Sequence, residues 1–176
     1  INCVGSTSIQ PFAEMLSQEF DLLHTGQMVD VQGGGSTAGI QAVSENIAEI
    51  GMCSRSLKDE EAGKFTGIPI AMDGLAVVVH NSNIVKGLTS VQIRDLFRGE
   101  ITNWRQVGGE DCPIRLITRE EGSGTREAFV KLVMEAKDKR AATMPAGPAG
   151  NQRAANRISR KAMTQESNGA VKELVK

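Results

Sequence analysis

The chain has 176 residues, 40% of them hydrophobic, and a formal net charge of −1 at pH 7. This length allows one domain or two small ones with a buried core. Basic residues are concentrated in 114–176, but the chain has no Tyr, one Trp and five Phe. Aromatic platforms for base stacking are therefore scarce, and we expect no nucleic-acid partner.

The three cysteines, Cys3, Cys53 and Cys112, form neither a disulfide framework nor a metal-ligand pattern. Cys3 and Cys53 lie in or beside apolar, strand-like runs and are expected to be small buried hydrophobes. A bridge between them would require that the two strands are neighbours. We expect no metal site and no cofactor. No apolar run in this sequence has the length of a membrane span, and none has the pattern of a signal peptide.

Short strand-like runs alternate with helix-like runs along the first third of the chain. The pattern predicts strands at 1–5, 28–33 and 47–54, with helices at 10–25 and 37–46. Such alternation is typical of a mostly parallel α/β sheet with helices on its faces.

The remainder continues the alternation less regularly. The apolar, β-branched run at 68–80 is long for one strand, and we expect it to pass between two lobes. A capped helix is predicted from Thr89 or Ser90 to Gly99. Further elements are a strand before 119, a helix at 126–137, a surface loop from about 141 and a closing helix at 168–176.

Three loops of one chemical kind follow predicted strands. They are "GSTS" at 5–8, "GGGST" at 33–37 and "GSGT" at 122–125. In parallel α/β sheets, ligands bind at the carboxyl ends of the strands. Three loops there would surround a small oxyanion with N–H and O–H donors, and Arg119 would add charge-assisted hydrogen bonds.

Catalytic motifs do not account for these loops. None contains the Gly-Lys-Ser/Thr of a Walker A motif. The segment "EEGSGT" has Glu121 where a nucleophile elbow requires its first glycine. Neither His24 nor His80 has an evident nucleophile partner in the sequence, so we expect no catalytic set.

Six segments are similar to one family. "GSTSIQPFAE", "VQGGGSTAGIQAV", "EIGMCSRSLKDEE", "DGLAVVVHNSN", "LTSVQIRDLFRGEITNW" and "REEGSGTREAF" resemble the phosphate-binding proteins of bacterial ABC transporters, often called PstS. The resemblance implies a two-lobed solute-binding fold of α/β class, in which mostly parallel sheets are flanked by helices. Residues 1–75 would form part of the first lobe, and residues 76–176 the second.

The resemblance also implies a function. Members of this family close on the phosphate dianion like a hinged clamp and deliver it to a membrane permease, without chemistry. It implies inorganic phosphate and an ABC-transporter permease as partners, and a location in the periplasm or at the cell surface, by lipid anchor in some members.

The resemblance also implies site residues, at the positions where this chain matches the family's motifs. Ser8 and the backbone of Ile9 match the first loop, and Ser36 matches the hydroxyl donor of the second. Four phosphate contacts match the third loop, which the second lobe would contribute: Arg119, Ser123, Gly124 and Thr125. Thr7 and Ser54 are expected to support them. Glu121 stands where many members pair an aspartate with the arginine, although it is equally suited to complement a helix dipole.

One departure concerns the proton of hydrogen phosphate. Many members place an aspartate after the third strand to accept it, where this chain has Ser54 and Arg55. A carboxylate acceptor would disfavour sulfate, which carries no proton. Asp73 is the remaining candidate, with an Asp-Gly turn as the alternative. Arg55 would supply either a second positive charge or a salt bridge that closes the lobes.

A second departure is that the family continues beyond 176 with further strands and a helix. An incomplete first lobe would expose sheet edge and apolar surface, which favours association. Three alternative functions stay open: a receptor for sulfate or molybdate, an enzyme acting on phosphate esters through Ser8 or Ser123, and a sensor or adhesive module on the same fold.

Overall fold

The computed structural model describes residues 1–136 and 157–176. The strands are β1 (Asn2–Gly5), β2 (Asp30–Gly33), β3 (Ile50–Met52), β4 (Ile117–Arg119) and β5 (Met163–Gln165). The helices are α1 (Gln10–Leu23), α2 (Ser36–Ser44), α3 (Asp59–Ala62), α4 (Ser90–Arg98), α5 (Gly124–Phe129) and α6 (Asn168–Val175). A 3-10 turn covers Trp104–Val107, and α5 continues as a π-helical turn over Val130–Met134.

The first three strands form a parallel sheet in the order β2-β1-β3. Cys3 of the central strand lies opposite Val31 on one side and Ile50 on the other. The predicted parallel α/β arrangement is therefore confirmed. Since all three strands run in one direction, their carboxyl ends lie at one edge of the sheet, where the loops at 5–8 and 33–37 begin.

Helix α2 packs closely on this sheet, against β1 and β3. Its Gly39 makes the approach possible, because a Cβ there would lie 2.6 Å from the Val4 carbonyl oxygen. Ala42, Ala48 and Met52 are buried in this part of the core. The close approach fixes the start of α2, and with it Ser36, relative to the ends of the strands.

Helix α4 begins and ends as predicted. Thr89 Oγ1 accepts the Gln92 N–H at 3.2 Å, and the Gln92 side chain accepts the Thr89 N–H at 2.9 Å. This reciprocal pair is a capping box. Gly99 ends the helix with a φ of 80°, a left-handed conformation that glycine adopts without strain.

The described residues form two compact units. The first comprises Ile1–Ala76, Arg119–Ala128 and Glu166–Asn168, and the second comprises Val77–Thr118, Phe129–Gln165 and Gly169–Lys176. The core of the second unit contains Phe129, Met134 and Ile158. The structure thus groups the third loop with the first unit; its assignment to a second lobe, and the lobe boundary after 75, stay predictions.

The apolar run at 68–80 is not a strand. No residue in it pairs with another described segment, and Met72 is 98% exposed. A strand exists only through ladder hydrogen bonds to a neighbour, so β-branched composition was not sufficient here. The loop predicted from about 141 lies largely outside the described residues.

The cysteines are free thiols. Cys3 is buried in the sheet, and burial raises the pKa of its thiol. Cys53 donates its S–H to the Arg55 carbonyl at 3.3 Å, so no bridge to Cys3 is present. Over residues 1–136 and 157–176, no helix combines the length and the apolarity that crossing a bilayer requires.

Candidate functional site

The site is built from loops that all belong to the first unit. The first and second loops follow β1 and β2 at the carboxyl edge of the parallel sheet, where the segment after β3 also begins, and the third loop follows β4. Four polar side chains of the first unit that lie in or beside these loops are buried: Ser6, Ser36, Arg119 and Ser123.

The first loop is held in shape by Ser6. The Ser6 N–H donates to the Met52 carbonyl at 2.9 Å, and its carbonyl accepts the Ile9 N–H at 3.1 Å. Ser6 Oγ accepts the Ser8 N–H at 3.2 Å. The N–H of Ile9, predicted to contact the anion, is therefore engaged within its own loop in this structure.

The second and third strands bring two serines together. Ser36, whose exposed fraction is 0%, accepts the Ser54 N–H on its Oγ at 3.1 Å. The two hydroxyl oxygens are 3.3 Å apart. Ser54, not a carboxylate, is thus the polar group beside Ser36.

The third loop begins with a buried arginine. Arg119 is 5% exposed, and Glu120 accepts from its Nε at 3.0 Å and from Nη2 at 2.9 Å. Nη2 also donates to Thr7 Oγ1 at 2.8 Å, and Nη1 donates to Asn168 Oδ1 at 2.6 Å. These contacts fix the orientation of the guanidinium plane.

Ser123 and Thr125 continue the third loop into α5. Ser123 is buried and caps the helix, with its Oγ accepting the Arg126 N–H at 3.4 Å and its carbonyl accepting the Glu127 N–H at 3.0 Å. Thr125 Oγ1 lies 2.8 Å from Ser8 Oγ, so the first and third loops meet through their hydroxyls.

Gly124 lies against the serine pair. A Cβ at this position would meet Ser36 Oγ and would lie 2.6 Å from Ser54 Oγ. The third loop thus approaches the second closely only because residue 124 has no side chain. Hydroxyls from Ser8, Ser36, Ser54 and Thr125 are consequently gathered around one short stretch of backbone.

Arg55 forms an ion-pair network beside this cluster. It donates to both carboxylate oxygens of Glu61, at 2.7 and 2.9 Å, and its Nε lies 3.0 Å from Glu127 Oε2. Lys58 Nζ is 3.2 Å from the same Glu127 oxygen. The hydrogen bond from Arg55 holds the pKa of Glu61 at about 2, and Glu61 in turn raises the pKa of Arg55. Arg55 is therefore a salt-bridge residue and not a free positive charge.

Most of the predicted site residues are brought together, and two are not. Asp73 is exposed, and its carboxylate accepts the adjacent Gly74 N–H at 2.7 Å, which is a turn contact. The pairing of Glu121 with Arg119 is wrong. Glu120 holds that position, while the side chain of Glu121 is 94% exposed and lies 3.9 Å from Arg126.

Sequence reasoning missed two residues that position the arginine. Glu120 is adjacent to Arg119 in sequence and Glu121 is one residue further, and only the course of the backbone shows which of the two carboxylates reaches the guanidinium. Asn168, in "ESNGA" at the start of the closing helix, lies 49 residues from Arg119. A polar residue at a helix start is an ordinary cap signal, so the sequence offered no reason to place it here. In the described ranges, no cluster of His, Cys, Asp and Glu side chains could hold a metal ion.

Comparison with known proteins gives consistent matches. The family model "PBP superfamily domain" matches residues 1–173. The chain is 38% identical over 107 residues to the Streptococcus pneumoniae phosphate-binding protein PstS 2, which covers 61% of this chain and 37% of that protein. It therefore spans well under half the length of this curated relative.

Two of the solved structures that are similar over 99% of this chain are named for phosphate transport. A Clostridium perfringens protein, described as a phosphate ABC transporter substrate-binding protein and determined with bound phosphate, has a TM-score of 0.82 and 36% identity, and the match covers 65% of it. An ABC-type phosphate transport receptor from Vibrio cholerae has a TM-score of 0.70 and 37% identity, with 66% of it covered. By the extent of the family match, the chain belongs to the PBP superfamily.

Proposed function

We propose that the chain binds inorganic phosphate without chemical change and serves the delivery of phosphate to an ABC-transporter permease in the membrane. The observation that carries this proposal is the gathering of hydroxyl groups from Ser8, Ser36, Ser54 and Thr125 around Gly124, with Asn168 linking Ser8 to the buried guanidinium of Arg119. As the resemblance implies, binding would occur by closure around the anion.

The chemistry of the cluster suits a tetrahedral oxyanion. Hydroxyl groups donate to phosphate oxygens in any orientation, and charge-assisted bonds are about twice as strong as neutral ones. The acids near the cluster are already paired, Glu120 with Arg119 and Glu61 with Arg55. Their negative charge is compensated, so it does not oppose an incoming anion.

The similar proteins support the same function. Each of the three is named for phosphate binding or transport, and one was determined with bound phosphate. The permease partner and a periplasmic or surface location are part of the proposal, because this chain spans only part of each relative's length.

A more specific question is how the site would distinguish phosphate from other oxyanions. Ser54 stands beside Ser36 where a carboxylate would accept the proton of hydrogen phosphate. Asp73 is exposed in the structure, and its role as this acceptor stays a prediction. A receptor for sulfate or molybdate is the alternative that this serine favours.

The test is isothermal titration of the phosphate-stripped chain with phosphate and, separately, with sulfate. Saturable heat with phosphate alone is expected, and heat with both would indicate a broader oxyanion receptor. Absence of heat with phosphate would contradict the proposal. Release of phosphate from a generic phosphate ester by the same preparation would contradict binding without chemistry.

A further inference from the structure

The side chain of Asn168 connects two predicted phosphate contacts. Its Oδ1 accepts from Arg119 Nη1 at 2.6 Å, and its Nδ2 donates to Ser8 Oγ at 3.0 Å. Asn168 is the first residue of α6, and 160 residues separate it from Ser8. One amide therefore bridges the guanidinium of the third loop and the hydroxyl of the first.

The direction of this bridge is fixed by chemistry. A guanidinium has five N–H donors and no acceptor. The amide oxygen of Asn168 must therefore face Arg119, which leaves its NH₂ group to face Ser8. Ser8 Oγ is consequently an acceptor towards position 168, and its own proton is available for another partner.

The direction of the Asn168 bridge decides whether the Ser8–Thr125 pair keeps a hydroxyl proton for a third acceptor. Ser8 Oγ and Thr125 Oγ1 are 2.8 Å apart, and one of the two protons makes the bond between them. The other proton, on whichever hydroxyl carries it, is left for a third acceptor. If residue 168 accepted instead of donating, it would take the Ser8 proton, the Thr125 proton would bond Ser8, and none would remain.

The hydroxyl of Thr7, the neighbour of Ser8, differs because its proton is engaged within the protein. Its Oγ1 accepts from Arg119 at 2.8 Å and donates to the Glu166 carbonyl at 3.4 Å. The Glu166 carbonyl also accepts from Arg119 Nη2 at 3.0 Å. The segment Glu166–Asn168 thus engages the Thr7 proton and leaves one proton of the Ser8–Thr125 pair free.

We propose that Asn168 is a positioning residue that sets the donor direction of the Ser8–Thr125 pair, so that the pair presents an O–H to a bound oxyanion. This role rests on the proposed phosphate function. It acts through Ser8, since Asn168 itself donates to Ser8 and accepts from Arg119. The nearly isosteric change Asn168→Asp reverses the direction, because a carboxylate only accepts.

The test is a double-mutant cycle measured by phosphate titration. Asn168→Ala, which removes the donor, is expected to weaken phosphate binding by about fivefold, and Asn168→Asp by about thirtyfold. In a Ser8→Ala background no hydroxyl remains to be reversed, so Asn168→Asp is expected to weaken binding by only about threefold, through its charge. Gln18→Glu, the same charge change at an exposed position of α1, serves as the control and is expected to stay within about twofold of the wild type.

The outcomes separate the two proposals. The role of Asn168 would be overturned if Asn168→Asp weakened phosphate binding by the same factor in the Ser8 and Ser8→Ala backgrounds. It would also be overturned if Asn168→Asp bound phosphate with wild-type affinity. Failure of the wild type to bind phosphate would overturn the proposed function, and this inference with it. Thermal unfolding of each variant without phosphate identifies any that has lost its fold. If Asn168→Asp has lost its fold, Asn168→Ala takes its place in the double-mutant cycle.

Discussion

At the scale of single residues, the side chains of the site are oriented by contacts within the protein. Arg119 is held by the Glu120 carboxylate, the Thr7 hydroxyl, the Asn168 amide and the Glu166 carbonyl. A guanidinium that is already fixed loses little side-chain entropy on binding. Donors held in fixed directions favour high affinity for a small, rigid anion. They adapt poorly to larger ligands.

Gly124 gives the sharpest test of how closely the loops must approach. We expect Gly124→Ala to weaken phosphate binding by at least about tenfold, because the added methyl would displace the Ser36 and Ser54 hydroxyls that it meets. Titration with phosphate measures the effect. Gly87→Ala is the control, since a Cβ at Gly87 has no atom within 4 Å. Equal affinity of the two variants would show that the loop contact at Gly124 is dispensable.

The candidate site could be predicted where local sequence carries the signal. Ser8, Ser36 and the "GSGT" loop follow strands directly, and their glycine and hydroxyl composition marks them. Asn168 could not be found in this way, because its partners come from positions 119 and 8 and nothing local requires them. The choice of Glu120 over Glu121 likewise depends on which side of the loop each carboxylate faces after β4.

At the scale of elements, Arg55 joins the segment after β3 to α5. It pairs with Glu61 of α3 and with Glu127 of α5, and Glu127 also accepts from Thr37 Oγ1 of α2 at 3.3 Å. The start of α5 carries Ser123 and Thr125, so these contacts help to hold two predicted phosphate contacts in place.

The Glu61 ion pair predicts a specific dependence of stability on pH. Its folded-state pKa of about 2 lies below the ordinary value of 4.5. The pair therefore stabilises the fold fully above the ordinary value, and this stabilisation is lost as pH falls towards the folded-state value. We expect Glu61→Gln to lower the free energy of unfolding by roughly 2 kcal/mol at neutral pH, with a smaller difference in acid.

Urea unfolding at neutral and acidic pH measures this difference. Glu60→Gln is the matched control, because Glu60 is the exposed neighbour in the same helix and makes the same change in charge. A constant difference between Glu61→Gln and the wild type at all pH values would contradict the assignment of the acid-sensitive pair to Glu61.

Element prediction succeeded where start and stop signals are local. Thr89, Gln92 and Gly99 specify α4 within eleven residues of sequence, and the structure confirms both ends of the helix. The run at 68–80 offered no such signals, and its passage between two lobes stays a prediction. Its composition favours a strand, but ladder formation depends on a partner strand, and the described residues provide none.

At the scale of the whole molecule, the fold class could be predicted because strand and helix periods alternate regularly over 1–54. The parallel order β2-β1-β3 follows from crossovers through α1 and α2. Large apolar side chains that this fold leaves exposed include Ile68, Ile70 and Met72. Their surface is the physical basis for the predicted association through the first lobe.

We expect the chain to self-associate through the run at 68–80. Burial of exposed apolar surface contributes about 25 cal/mol per Å², and a segment without ladder hydrogen bonds can offer backbone groups to a second copy. Sedimentation velocity over a wide range of protein concentration should show an average mass that rises with concentration. The double change Ile70→Lys with Met72→Lys should abolish this rise, whereas Met28→Lys, at a largely exposed methionine outside the run, should preserve it. A wild-type chain that stays monomeric throughout would show that apolar exposure in this segment does not drive association.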